Sequence, residues 1–116
     1  MQDLKARTKK FALDVVRWCV NCPKRDELLI ITRQLMRAAT SVAANYRAAC
    51  RAKSKPDFIN KLSIVEEEAD ESALWLEMLI ELDFTGHGEG PGLLREANEL
   101  VAIMVSSKKT ARGSPE

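Results

Sequence analysis

Apolar positions recur along this chain at the spacing of helices, not of strands. Leu4, Phe11, Val15, Trp18 and Cys22 share one face of a first helix predicted over Leu4–Cys22, which Pro23 stops. Leu28, Ile31, Leu35, Ala38, Ala39, Val42, Tyr46 and Ala49 share one face of a second, predicted from an Asp26 N-cap to Arg51. Ser54-Lys55-Pro56-Asp57 then has the form of a helix start: a capping serine, a proline tolerated in the first turn, and an acid three residues on. The third helix continues to about Phe84, with Phe58, Leu62, Val65, Ala69, Ala73, Leu76 and Ile80 inward. Thr85 to Gly92 is glycine-rich and reads as a loop. The fourth helix is predicted over Leu93–Ser107, with Leu93, Ala97, Leu100, Val101 and Met104 inward. These segments predict a single all-α domain, an antiparallel up-and-down four-helix bundle over residues 1–107, followed by a flexible basic tail over 108–116.

Two helix faces are left over by this packing. On the second helix, Arg33, Arg37, Arg47 and Arg51 fall within about 80° of one another, opposite the core face, at about 100° per residue. Ala43, Ala44 and Ala48 keep the space around that stripe low, so a neighbouring helix or a phosphate backbone could approach closely. On the third helix, Ile64, Trp75, Met78 and Leu82 form a second apolar stripe, with Glu68 and Glu71 among them. A bundle core needs one apolar stripe per helix, so a second stripe predicts a second buried surface, most simply a contact between chains. The other flank is acidic, with Glu66, Asp70, Glu77 and Glu81. Glu66/Asp70 and Glu67/Glu71 are like-charge pairs one turn apart, so something positive should offset them. The arginine stripe, of the same or another chain, is the nearest source.

Composition agrees with a packed helical domain. The 116 residues are 46% hydrophobic and 30% charged, with 5% aromatics. No apolar run approaches the roughly 20 residues of a membrane span, and the N-terminus lacks the apolar core of a secretory signal, so a cytoplasmic location is expected. Net charge is +1, yet residues 1–55 carry +9 and residues 56–116 carry −8. That asymmetry fits a nucleic-acid face on the basic half, or halves that neutralise each other within or between chains.

Little in the chain assembles a chemistry. Cys19-Val20-Asn21-Cys22 is a C-x-x-C, but no second pair exists and His87 is the only histidine, so a zinc site lacks ligands. A redox cysteine is activated at a helix N-terminus, whereas these sit at a helix end, where the dipole disfavours a thiolate; they read as core cysteines. The glycines around His87 follow no strand and precede no Gly-Lys-Ser/Thr, so they do not make a nucleotide-binding loop. No Glu-x-x-His lies on a helix for a di-iron site. Neither catalytic residues nor a cofactor are expected.

Three segments carry a family resemblance: Gln34 to Asn45 (QLMRAATSVAAN), Ser54 to Ile59 (SKPDFI) and Leu62 to Glu71 (LSIVEEEADE), with a closing Glu96-Ala97-Asn98-Glu99-Leu100. Together they resemble the bacterial four helix bundle protein family, whose founding members are encoded by intervening sequences in 23S ribosomal RNA genes. Its most specific part is an Arg-Ala-Ala-x-Ser followed by an asparagine four residues on, here Arg37, Ser41 and Asn45. Many members continue with an Ala-Glu-Gly segment, where this chain has Tyr46-Arg47-Ala48-Ala49. The resemblance implies a ring-like homo-oligomer, typically a pentamer. It also implies kinship with the accessory protein of diversity-generating retroelements, a basic pentamer that binds nucleic acid and a reverse transcriptase. The expected sites are therefore a nucleic-acid surface of Arg33, Arg37, Arg47, Arg51, Lys53 and Lys55 for RNA or DNA, and an oligomer interface of Ile64, Glu68, Glu71, Trp75, Met78 and Leu82. In the alternative reading, the protein is a scaffold whose arginine stripe is consumed by intersubunit ion pairs.

Overall fold

The computed structural model describes residues 3–82 and 88–113. They form four helices, α1 (Leu4–Val20), α2 (Asp26–Cys50), α3 (Lys55–Glu81) and α4 (Gly90–Gly113). Their antiparallel packing gives a rod of 50 × 19 × 19 Å. α1 packs mainly on α2, α2 on α3, and α3 on α4, while the seam between α1 and α4 is the sparsest.

Local chemistry sets the helix starts. Asp3 caps α1 by accepting the Ala6 N–H at 3.0 Å. Ser54 caps α3 by accepting the Asp57 N–H at 3.1 Å, and Asp57 reaches back to the Lys53 N–H at 3.3 Å. The reciprocal bond lands one residue before the cap, a displaced version of the expected capping box. Asp26, expected as a cap, is instead the first residue of α2 behind Arg25; it and Glu27 place negative charge in the first turn, where the helix dipole favours it.

The core follows the predicted stripes with a few shifts. Leu35, Ala38, Ala39, Val42, Leu62, Val65, Ala69, Leu76, Ala97, Leu100 and Met104 are fully buried. Phe58, Tyr46 and Ile80 stay partly exposed, whereas Leu79 and Ser72 are fully buried. α3 is covered by α2 on one side and α4 on the other, so its buried arc is wider than one stripe and takes in Leu79 and Ser72. The Ser72 hydroxyl is satisfied within the helix, donating to the Glu68 carbonyl at 2.8 Å.

Both ends of α4 depart from expectation. The helix begins at Gly90, three residues before Leu93, immediately after a turn in which Gly88 has φ 37°, in the region that favours glycine. Gly90 is buried against the Trp18 ring: a Cβ there would lie 2.8 Å from Trp18 Cζ2. One glycine of the presumed loop is thus a packing residue that lets α4 start beneath a tryptophan. The helix also continues through Gly113, so residues 108–113 of the predicted tail are helical. The reason is Lys108. Its side chain is only 15% exposed, and its Nζ donates to Ser63 Oγ at 3.2 Å and lies 2.7 Å from Glu66 Oε1. That ion pair ties the last turns of α4 to α3 and supplies positive charge beside Glu66/Asp70. The predicted α3 end at Phe84 and the loop residue His87 lie outside the described residues.

Gly90→Ala is expected to destabilise the bundle by about 1–3 kcal/mol through overpacking against Trp18. Gly92→Ala, whose Cβ would meet only the Arg95 side chain at 3.7 Å, is expected to be neutral or to stabilise by up to about 1 kcal/mol. Urea unfolding of the two variants checks the contrast.

Candidate functional site

The α2–α3 seam holds a continuous polar network. Arg37, Ser41 and Asn45 sit one turn apart on α2; Glu68, Glu71 and Trp75 sit at matching spacing on α3. The Arg37 guanidinium donates through Nη1 and Nη2 to the two oxygens of Glu68, each at 3.2 Å, and through Nη2 to Glu71. Ser41 stands beside the Glu68 carboxylate and helps to lower its pKa. Asn45 Nδ2 donates to Ser41 Oγ and to the Ser41 carbonyl, both at 2.9 Å. At the far end, the Trp75 indole N–H donates to Glu71 Oε2 at 3.1 Å. The fork of an arginine matches a carboxylate in two places, which fixes position along the helices as well as charge.

Electrostatics follow from this geometry. Burial raises the cost of ionising Glu68, but the hydrogen bonds from Arg37 and Ser41 and the Arg37 charge outweigh it, holding the carboxyl below its ordinary range. The hydrogen bonds that Arg37 donates to Glu68 and Glu71 push its own pKa up. A second clamp closes the α1–α4 seam: Arg7 meets Glu96 through Nε and Nη2, each at 2.7 Å, and Glu99 at 2.7 Å. The closing Glu-Ala-Asn-Glu-Leu segment is therefore the acidic half of an interhelical ion pair.

Of the expected interface residues, Ile64, Glu68, Glu71 and Trp75 are half-buried, and Met78 and Leu82 are exposed at 38% and 50%. Glu68 and Glu71 find their arginine within the same chain, so they are not free carboxylates awaiting a neighbour. Two more apolar residues join the strip: Leu74, 47% exposed, and Ile30 of α2, 66% exposed. Leu74 was legible as the residue one turn before Met78. Ile30 lies seven residues before Arg37 on the same face of α2, a signal that its place near the helix start obscured. Ser41 and Asn45 stood in the quoted motif, but their partners on α3 are set by the packing.

The six expected nucleic-acid residues do not form one group. Arg37 is committed to α3, while Arg33, Arg47, Arg51 and Lys53 are exposed and form no ion pair among the described residues. Lys55 is half-buried in the first turn of α3. Because the helices are antiparallel, Arg47, Arg51, Lys53 and Lys61 come to the same end of the rod as Lys109 and Arg112 of α4. Among the described residues, no group of three or more His, Cys, Asp or Glu side chains is arranged to hold a metal ion. Cys19 and Cys22 are free thiols in the core. Burial pushes the Cys19 thiol to about 12 and raises Cys22 as well, the opposite of an activated redox pair. No described helix is long and apolar enough to cross a membrane.

The lowered Glu68 carboxyl makes a signed prediction. Its contribution to stability is complete above the ordinary glutamate value of 4.5 and is lost as pH falls through the lowered value. Glu68→Gln is expected to lose less stability than the parent between about pH 6 and about pH 3 in urea unfolding. Ser41→Ala is expected to cost about 1 kcal/mol near neutral pH by removing the hydroxyl that accepts the Asn45 amide and stands beside Glu68.

Comparison with known proteins agrees with the geometry. Residues 2–106 match the family model described as 23S rRNA-intervening sequence protein. A solved structure from Bacteroides thetaiotaomicron, described as a protein with unknown function from the S23 ribosomal protein family, is 29% identical with a TM-score of 0.77, over 90% of this chain and 97% of that one. No curated protein matches. With the family match running from α1 through most of α4, over the Arg37, Ser41 and Asn45 motif and its partners on α3, this chain belongs to the 23S rRNA-intervening sequence protein family.

Proposed function

We propose that this protein is a non-enzymatic assembly module, a four-helix bundle that associates with copies of itself through the outer face of α3. The observation that carries this reading is the apolar strip of Leu74, Met78 and Leu82, all exposed, bordered by Trp75 and by Ile30 of α2. Large apolar side chains grouped on one exposed face are costly to leave in water, and tryptophan and methionine are enriched where proteins meet. The strip is not needed by the core, because α3 already buries its other faces against α2 and α4.

A second reading, binding of an RNA or DNA backbone, is favoured by one further observation. The end of the rod that carries Arg47, Arg51 and Lys53 also gathers Lys61, Lys109 and Arg112 from other helices, and none of the six has an ion-pair partner among the described residues. Such a basic pole suits phosphate contacts that are independent of sequence. A reverse transcriptase remains a partner suggested only by the kinship of the family.

Light scattering at micromolar concentration is expected to give a mass of several chains, and Met78→Glu or Leu82→Glu is expected to shift it toward one. A monomeric parent protein overturns the assembly reading. For the second reading, binding of duplex DNA or RNA is expected to weaken steeply with salt. Arg47→Ala with Arg51→Ala is expected to reduce the log–log slope by about 2.

A further inference from the structure

At one end of the rod α4 outruns α1. Arg7 meets Glu96 and Glu99, so the first turn of α1 stands beside the middle of α4. α1 begins at Leu4, whereas α4 continues from Glu99 to Gly113. At the helical rise, roughly 15 Å of α4 runs past the start of α1. There α4 faces the first turn of α3 across a groove of about 300 Å³, lined by Phe58, Ser106, Ser107, Thr110 and Ala111. By periodicity Phe58 belongs to the core stripe of α3, yet it stays half-exposed, because this height of the rod lies beyond the start of α1. The groove opens on the basic pole. Lys109 and Arg112 are exposed on the same two turns of α4, Lys61 lies one turn after Phe58, and Arg47, Arg51 and Lys53 come from the end of α2 and its link to α3. Asp3 and Asp57, which come to the same end, are taken up in helix caps.

Resting on the basic-pole reading above, we infer that this groove takes one unpaired base of single-stranded nucleic acid, stacked on Phe58, while the surrounding lysines and arginines hold the phosphates of the strand. The groove selects that occupant in three ways. Its volume is at the lower end of the range for small-molecule sites, too small for a helix or a folded partner. Its walls join an aromatic ring to the hydroxyls of Ser106 and Ser107, and a stacking surface beside short donors and acceptors suits the flat face and polar edge of a base. Its lining holds no charged side chain among the described residues; the cations stand around it, where a sugar–phosphate backbone passes on either side of a turned-in base. A base within a duplex does not reach Phe58, since both its faces are stacked and its edge is paired, and turning it out costs free energy that a single strand does not spend. The ring and the cations serve RNA and DNA alike. Duplexes meet only the rim of the pole, through their phosphates.

Fluorescence anisotropy with a single strand of about 10 nucleotides tests the site. The parent protein is expected to bind that strand, as RNA or as DNA, about tenfold more tightly than a duplex of the same sequence, and more tightly than a wholly abasic strand by a similar factor. Phe58→Leu, which keeps an apolar side chain at the bundle end, is expected to weaken single-strand binding about tenfold while leaving duplex binding and the salt slope unchanged. Phe58→Tyr, which keeps the ring, is expected to bind as the parent does. Circular dichroism checks that both variants fold, and the abasic strand, which needs no altered protein, decides the matter if Phe58→Leu does not. If the abasic strand binds as well as the intact one, or folded Phe58→Leu binds single strands as the parent does, the groove is not a base site, while the basic-pole reading stands on its salt-dependent binding. A parent that binds neither single strand nor duplex at low salt overturns both.

Discussion

The forked contact of Arg37 with Glu68 and Glu71 is the constraint on which the middle of this molecule depends. Apolar burial alone holds two amphipathic helices together, but it tolerates sliding, since alanine and leucine faces pack nearly as well one turn out of place. Around Arg37 the facing residues are small: Ala38 and Ala39 on α2, and Ala69 and Ala73 on α3, all buried. Little steric relief is present there to select a register. A planar guanidinium bonded to two carboxylates supplies the selection that the alanines do not.

Charge is distributed in the same economical way at the other seams. Lys108 meets Glu66 and Ser63 between α4 and α3, and Arg7 meets Glu96 and Glu99 between α1 and α4. Each clamp joins a basic side chain of one helix to carboxylates of the helix packed beside it. The acid run of α3, unfavourable in an isolated helix, is thereby divided. Glu66 is neutralised from α4, Glu68 and Glu71 from α2, and Glu67, Asp70, Glu77 and Glu81 are left exposed without an ion pair among the described residues. That unpaired charge lies beside the exposed Leu74, Met78 and Leu82.

Family membership and geometry meet at the motif. Arg37, Ser41 and Asn45 are spaced one turn apart because all three must face one partner helix, and the acids of α3 are spaced to receive them. The most specific signature of the chain is accordingly a device for joining α2 to α3. The surface proposed for self-association borders this device at Trp75, which Glu71 holds by its indole nitrogen.

By itself the sequence determined the number of helices, their core stripes, and the existence of a second apolar face on α3. Periodicity and caps are local, and four segments of this length have few other ways to hide their apolar sides. The apolar strip was legible through Trp75, Met78 and Leu82 for the same reason. What only the tertiary structure decided was which charges are spent. On a helical wheel Arg37 shares one stripe with Arg33, Arg47 and Arg51, yet among the described residues the crossing of α2 over α3 places only Arg37 against two carboxylates. Lys108 likewise belonged to a basic tail by composition, and became the anchor of α4 because Glu66 lies where that helix passes. Charge partners depend on register between helices, and no periodicity within one helix encodes it.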